Sequence, residues 1–385
     1  MQDLLESLGN RLDTQSKERD KRAARHSRAY KCRCGNHIFF RNTLCLACNS
    51  QLGLLPDEGR LAALDPGPTP GTWRVEGRDE VLKFCANRGS HAACNWMMYA
   101  SNPKTYCIAC RLNRTIPNLG DADNARYWTR IEIAKRRLVA QLIALGLPVS
   151  SKVGEDPERG LMFDFLRSPP KGPRVMTGHA SGLITINVEE ADDAKREQIK
   201  HDLREPYRTL LGHFRHEVGH YYWDRLVWGT KWLEPCRQLF GDERASYAEA
   251  LKRNYEQGPP ADWANSYISS YATMHPWEDW AETWAHFLHV VDSLGTAMGF
   301  GFDGENLEGN IQPFTRDALY APDDPGAGRF LSLLNGWLQM TMVLNELARS
   351  MGYRDFYPFV MSRPVVAKLQ FVQMVVIDAR TNPDL

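Results

Sequence analysis

Between Tyr207 and Trp228 apolar residues recur at Leu210, Leu211, Phe214, Val218, Tyr221, Tyr222 and Leu226 with no proline among them. That three-to-four spacing predicts a helix. A second periodic run, Asn124–Leu145, carries Trp128, Ile131, Ile133, Leu138, Leu142 and Leu145 and is closed by Gly146 and Pro148, which predicts another. The β-rich runs Leu161–Leu166 and Leu183–Val188 predict strands. An edge position for the second would let it pair with an extended peptide. Ala191–Lys200 suits a helix start or a loop. Downstream the pattern predicts helix over Phe240–Tyr255 up to the break Gly258-Pro259-Pro260, helix within Ser266–Val291, and closing helices at Phe330–Gly352 and Val365–Ile377. Prolines 56, 66, 68 and 70 mark residues 56–80 as a linker, Pro117–Asp123 as a turn-rich boundary, and the Gly-, Asp- and Pro-rich stretch Gly299–Pro325 as a loop.

The first helix carries His216-Glu217-Val218-Gly219-His220. Residues four apart stand one above the other on a helix, so both imidazoles can face one metal ion, and Glu217 beside them can reach a water there. Gly219 costs helix stability and is expected to leave room beside the metal. A single histidine on an apolar face is an ordinary core residue; two at this spacing flanking a glutamate are harder to obtain by chance. Such a site needs a third ligand, and His275-Pro276-Trp277-Glu278-Asp279-Trp280-Ala281-Glu282 supplies candidates, with Pro276 near the first turn of a helix. Glu278 and Glu282 share a face. We take Glu278 as ligand and Glu282 as the residue that orients a ligand imidazole, with Asp279 and then Glu282 as competing ligands. Acidic residues at a helix start also serve its dipole. Trp277, Trp280 and Trp284 are read as core packing.

Charge changes the picture little: 47 basic and 47 acidic residues give no global field towards nucleic acid or an anionic membrane. No run has the length of a membrane span and Met1–Asn10 has no signal-peptide core, so a cytoplasmic protein is expected. Residues 1–30, with Leu4, Leu5, Leu8 and Leu12 and then the charged run Lys17–Arg28, read as a solvated leader. Cysteine changes more. Eight of nine fall before residue 111, in knuckles that point to metal rather than disulfides. Cys32, Cys34, Cys45 and Cys48 flank the apolar Ile38-Phe39-Phe40 as in a zinc ribbon, a closed tetrahedral site that stands in for a core. Cys85, Cys94, Cys107 and Cys110 form a less regular second set, with His91 the alternative ligand. Cys236 stands alone and is expected to be a buried thiol.

The pairing of H-E-x-x-H with a downstream E-x-x-x-[DE] resembles the gluzincin metallopeptidases of the thermolysin and lethal-factor type. That resemblance implies that the downstream Glu binds zinc, and that a tyrosine seven residues before it, here Tyr271, donates to the oxyanion. Asp224, four after His220, matches an Asp of thermolysin-like helices. Residues 31–380 are similar to a bacterial family of zinc-binding metallopeptidases with an N-terminal zinc ribbon, through the first cysteine set, Cys107-x-x-Cys110 with Arg111-Leu-Asn-Arg-Thr-Ile-Pro, Thr209 to Trp223, Phe240-Gly-Asp-Glu-Arg and His275 to His286. The leader has no counterpart there. The expected architecture is α+β: a charged leader (1–30), a double zinc-ribbon region (31–117), and a mostly helical zincin-like domain with a small sheet (118–385). The expected cofactors are one catalytic and two structural zinc ions. The expected substrate is a peptide or protein, with the ribbons recruiting a protein, or less readily nucleic acid. The alternatives are a non-catalytic ribbon binding module on a zincin scaffold, and a small-molecule amidase.

Overall fold

A computed structural model describes Leu5 and residues 28–202, 207–301 and 311–382; apart from Leu5, Arg28, Ala29 and Tyr30, the leader lies outside the described residues. The chain is α+β, as expected. It divides into two compact units, one built chiefly from Lys21–His201, the other from Asp202–Leu294 and Phe302–Leu385.

In the unit of Lys21–His201, a short hairpin of β1 (Tyr30–Lys31) and β2 (His37–Ile38) turns through Gly35 at φ 86°. An antiparallel meander follows: β3 (Gln51–Leu55), β4 (Arg60–Pro66), β5 (Thr72–Arg74), β6 (Leu82–Phe84) and β7 (Met97–Tyr99) in that order. The expected linker 56–80 therefore carries two strands, β4 and β5, joined by turns. Pro66 closes β4, while Pro68 and Pro70 lie in the β4–β5 turn, so the prolines punctuate strands instead of excluding them. Ala62 and Leu64 of β4 join Leu55, Val75, Leu82 and Met97 in a buried cluster.

The same unit holds α1 (Ala122–Ala144), capped by the Asp121 carboxylate on the Asp123 and Asn124 amides, and α2 (Asp193–Asp202). A four-stranded sheet runs in the order β10 (Gly178–Ala180), β11 (Leu183–Asn187), β9 (Met162–Leu166), β8 (Asn113–Thr115). The expectation for Leu183–Val188 fails here: β11 pairs antiparallel with β10 and parallel with β9, so neither edge is open to a peptide. A local β-rich pattern marks a strand and carries no information about its neighbours.

The second unit is helical: α3 (Leu210–Leu226), α4 (Leu233–Phe240), α5 (Tyr247–Gln257), α6 (Pro276–Gly299), α7 (Ala327–Ser350) and α8 (Arg363–Thr381). The expected helix Phe240–Tyr255 is two helices, because Gly241 takes φ 103° and ends α4. Helix within Ser266–Val291 begins only at Pro276. Thr209 starts α3 by accepting the Gly212 amide. The α3–α6 contact forms the core, with Tyr222 stacked on Trp284 at 4.9 Å and Trp280 Nε1 donating to the Gly219 carbonyl at 2.8 Å. Trp280 and Trp284 are fully buried; Trp277 is half-buried against His220, its ring 4.1 Å away. A Cβ on Gly219 would lie 3.0 Å from Ala281 Cα and 3.2 Å from its carbonyl oxygen. The glycine thus serves the approach of two helices, and the expectation that it makes room beside the metal is corrected.

Candidate metal centre

The histidine pair sits in the middle of α3, and the acidic stretch opens α6. His216 Nε2 and His220 Nε2 are 3.2 Å apart. Glu278 Oε2 lies 2.9 Å from the first and 3.5 Å from the second. Ligand atoms about 2.0–2.1 Å from a tetrahedral zinc would stand about 3.3 Å from one another, so the spacing suits such an ion. Glu278 is 2% exposed, and its Oε2 has no hydrogen-bond donor. A buried carboxylate oxygen without a donor is costly unless a cation answers it. Burial pushes the Glu278 carboxyl up, but His220 and His216 outweigh it and hold it well below the usual range.

The other two carboxylates have other partners. Asp279 is fully buried, and its Oδ2 is 2.6 Å from Lys368 Nζ on α8. Glu282 Oε1 accepts from His216 Nδ1 at 2.7 Å, and its Oε2 accepts from Ser269 Oγ at 2.6 Å. With the proton of neutral His216 on Nδ1, Nε2 presents its lone pair. Burial opposes the Glu282 charge, yet the His216 hydrogen bond prevails and holds it at about 2.

Glu217 is buried beside the pair, and burial raises its carboxyl above the ordinary value against the pull of His216 and His220. The Tyr271 ring lies 5.9 Å from that of His216. Burial, then Glu278, push its phenol up, so it remains a proton donor. Asp224 is exposed on α3. Two residues at the site escaped the sequence reading. Tyr247 donates its hydroxyl to Glu278 Oε1 at 2.9 Å, and Ser269 braces Glu282. No spacing rule announces either; the only cue was that Tyr247 follows Phe240-Gly-Asp-Glu-Arg closely.

The cysteines gather in two groups of four: Cys32, Cys34, Cys45 and Cys48, and Cys85, Cys94, Cys107 and Cys110, each with its sulfurs within 4.8 Å of one another. Cys32–Cys48, Cys34–Cys45 and Cys94–Cys107 are separated by 3.6, 3.7 and 3.8 Å. Thiolates about 2.3 Å from a tetrahedral zinc stand about 3.8 Å apart, far beyond a disulfide. In the first group Cys34 and Cys48 are exposed; the second is wholly buried. His91 is exposed and lies outside both groups. Cys236 is a buried thiol, pushed by burial up to about 12.

Among the described residues no helix is long and apolar enough to cross a membrane. Residues 124–375 match the family model described as "Putative zinc-binding metallo-peptidase", and residues 29–121 match a zinc-ribbon domain. An uncharacterized protein of Mycobacterium tuberculosis and one of Mycobacterium bovis are each 41% identical over 344 residues, covering 89% of this chain and 93% of theirs. No solved structure matches.

Proposed function

The chain belongs to this zinc-binding metallo-peptidase family, and from that premise we propose that its helical unit hydrolyses peptide bonds in the gluzincin manner, with His216, His220 and Glu278 holding the metal. The observation that carries the reading is the convergence of two Nε2 atoms and one donor-free carboxylate oxygen within 3.5 Å. Zinc, when bound, supplies the Lewis acidity that polarises a scissile carbonyl and lowers the pKa of water towards neutrality. Glu217 takes the proton of the attacking water and passes it to the leaving amine. Tyr271 donates to the oxyanion that develops on the carbonyl. Glu282, braced by Ser269, keeps the His216 ring turned so that Nε2 faces the site. The two cysteine groups are the structural zinc sites of this reading, which makes three ions per chain.

Glu217→Gln is the direct test. It keeps the ligands and removes the base, so zinc content by elemental mass spectrometry should match the wild type. Cleavage of an unstructured polypeptide should fall by about 10²–10⁴-fold. Wild-type turnover in that variant would overturn the mechanism. Zinc at the site with no cleavage of a diverse peptide library by the wild type would favour a non-hydrolytic scaffold instead.

A further inference from the structure

Glu278 meets its surroundings differently at its two oxygens. Oε2 faces the imidazoles and has no hydrogen-bond donor; Oε1 accepts the Tyr247 hydroxyl at 2.9 Å. A carboxylate can ligate through one oxygen or both. A phenol donating to Oε1 draws that oxygen's charge away from the site and restrains rotation of the group. We propose that Tyr247 is a positioning residue that holds Glu278 in a one-oxygen geometry and so keeps a coordination position free. The inference rests on the zinc reading above.

Tyr247 is delivered to this place by a tether. Gly241 packs against Pro276, where a Cβ would lie 3.0 Å from the proline Cγ. Arg237 on α4 grips both Glu243 oxygens, with hydrogen bonds of 2.6–3.2 Å. His275, just before α6, donates from Nε2 to the Ala245 carbonyl at 3.0 Å and accepts the Trp277 amide on Nδ1 at 3.1 Å. Its ring also lies 5.3 Å from that of Tyr247. The segment 241–247 is thus tied to the first turn of the helix that carries Glu278, so phenol and carboxylate keep register. Tyr247 is 39% exposed, placing it towards the solvent side, whereas Tyr271 is half-buried with its ring 5.9 Å from that of His216. The two phenols therefore divide the work: Tyr247 acts on the ligand, and Tyr271 is left for the substrate.

The test compares Tyr247→Phe and Tyr271→Phe in the full chain. Zinc affinity at the nitrogen–oxygen site is read by chelator competition and coordination by the visible absorption of the cobalt(II) form, with melting of the metal-free protein as the folding control. Tyr247→Phe should bind zinc about 10–100-fold more weakly. Its cobalt bands should weaken as Glu278 brings in its second oxygen, while metal-free melting stays put. Tyr271→Phe should leave affinity and spectrum as in the wild type. An unchanged affinity and spectrum in Tyr247→Phe, or equal losses in both variants, would overturn the proposal. A wild type that binds no metal at this site would instead sink the zinc reading itself.

Discussion

At the scale of single residues, position along a helix settles part of the site and distant partners settle the rest. His216, Glu217 and His220 announce themselves because an i, i+4 spacing fixes their shared face whatever the rest of the chain does. Glu278, Asp279 and Glu282 lie within little more than one turn, and what separates them is distant: Lys368 occupies Asp279, while His216 and Ser269 occupy Glu282. No spacing contains those partners, and the same holds for Tyr247. Glu282→Ala should cost about 10–100-fold in zinc affinity, because the His216 ring loses the acceptor that sets its tautomer. Ser269→Ala leaves that acceptor in place and should cost less. Chelator competition on the two variants ranks them; equal affinities in both and in the wild type would remove Glu282 from the site.

At the scale of elements, helix α3 was legible from its period, but the reason for its glycine was not. Gly→Ala inside a helix ordinarily gains about 1 kcal/mol. At Gly219 the methyl would press on Ala281 Cα at 3.0 Å and on Trp284 Cβ at 3.2 Å. Backbone of a packed helix gives way only by moving α6 as a whole, carrying Glu278 with it. Gly219→Ala should therefore destabilise, by about 1–3 kcal/mol, in chemical denaturation; a more stable variant would show that the two helices have slack. The anchorage of α6 to α8 makes a second case. Lys368 and Asp279 are both buried, and Lys368 also donates to the Ser266 carbonyl at 2.9 Å. Lys368→Met leaves an unanswered carboxylate and should cost about 3–5 kcal/mol, most of it recovered when Asp279→Leu is added. Strand β11 and the proline-rich run 56–80 failed as expectations for a related reason: pairing is decided by neighbours that a local pattern does not name.

At the scale of the whole molecule, the two cysteine groups were visible as knuckles, but their unequal surroundings were not. The first group has two exposed cysteines. The second is sealed by α1: Asn113 donates to Glu132 at 3.0 Å, Lys135 pairs with Glu132 at 2.5 Å, and Thr129 and Arg136 donate to the carbonyls of His91 and Ala92. A chelator or thiol reagent must reach a sulfur to remove its metal, so exposure sets the order of loss. Zinc should leave the first cysteine group before the second, followed with a chromogenic chelator and by mass spectrometry of the alkylated cysteines. Because such sites stand in for a core, emptying the second group should open residues 28–201 to limited proteolysis. Residues 207–294 should stay protected, since Trp280 and Tyr222 pack on Trp284 in a buried aromatic core without help from any sulfur. Simultaneous loss of protection in both units would show that the helical unit draws its stability from the cysteine-bound metal, and its own aromatic core would no longer account for its fold.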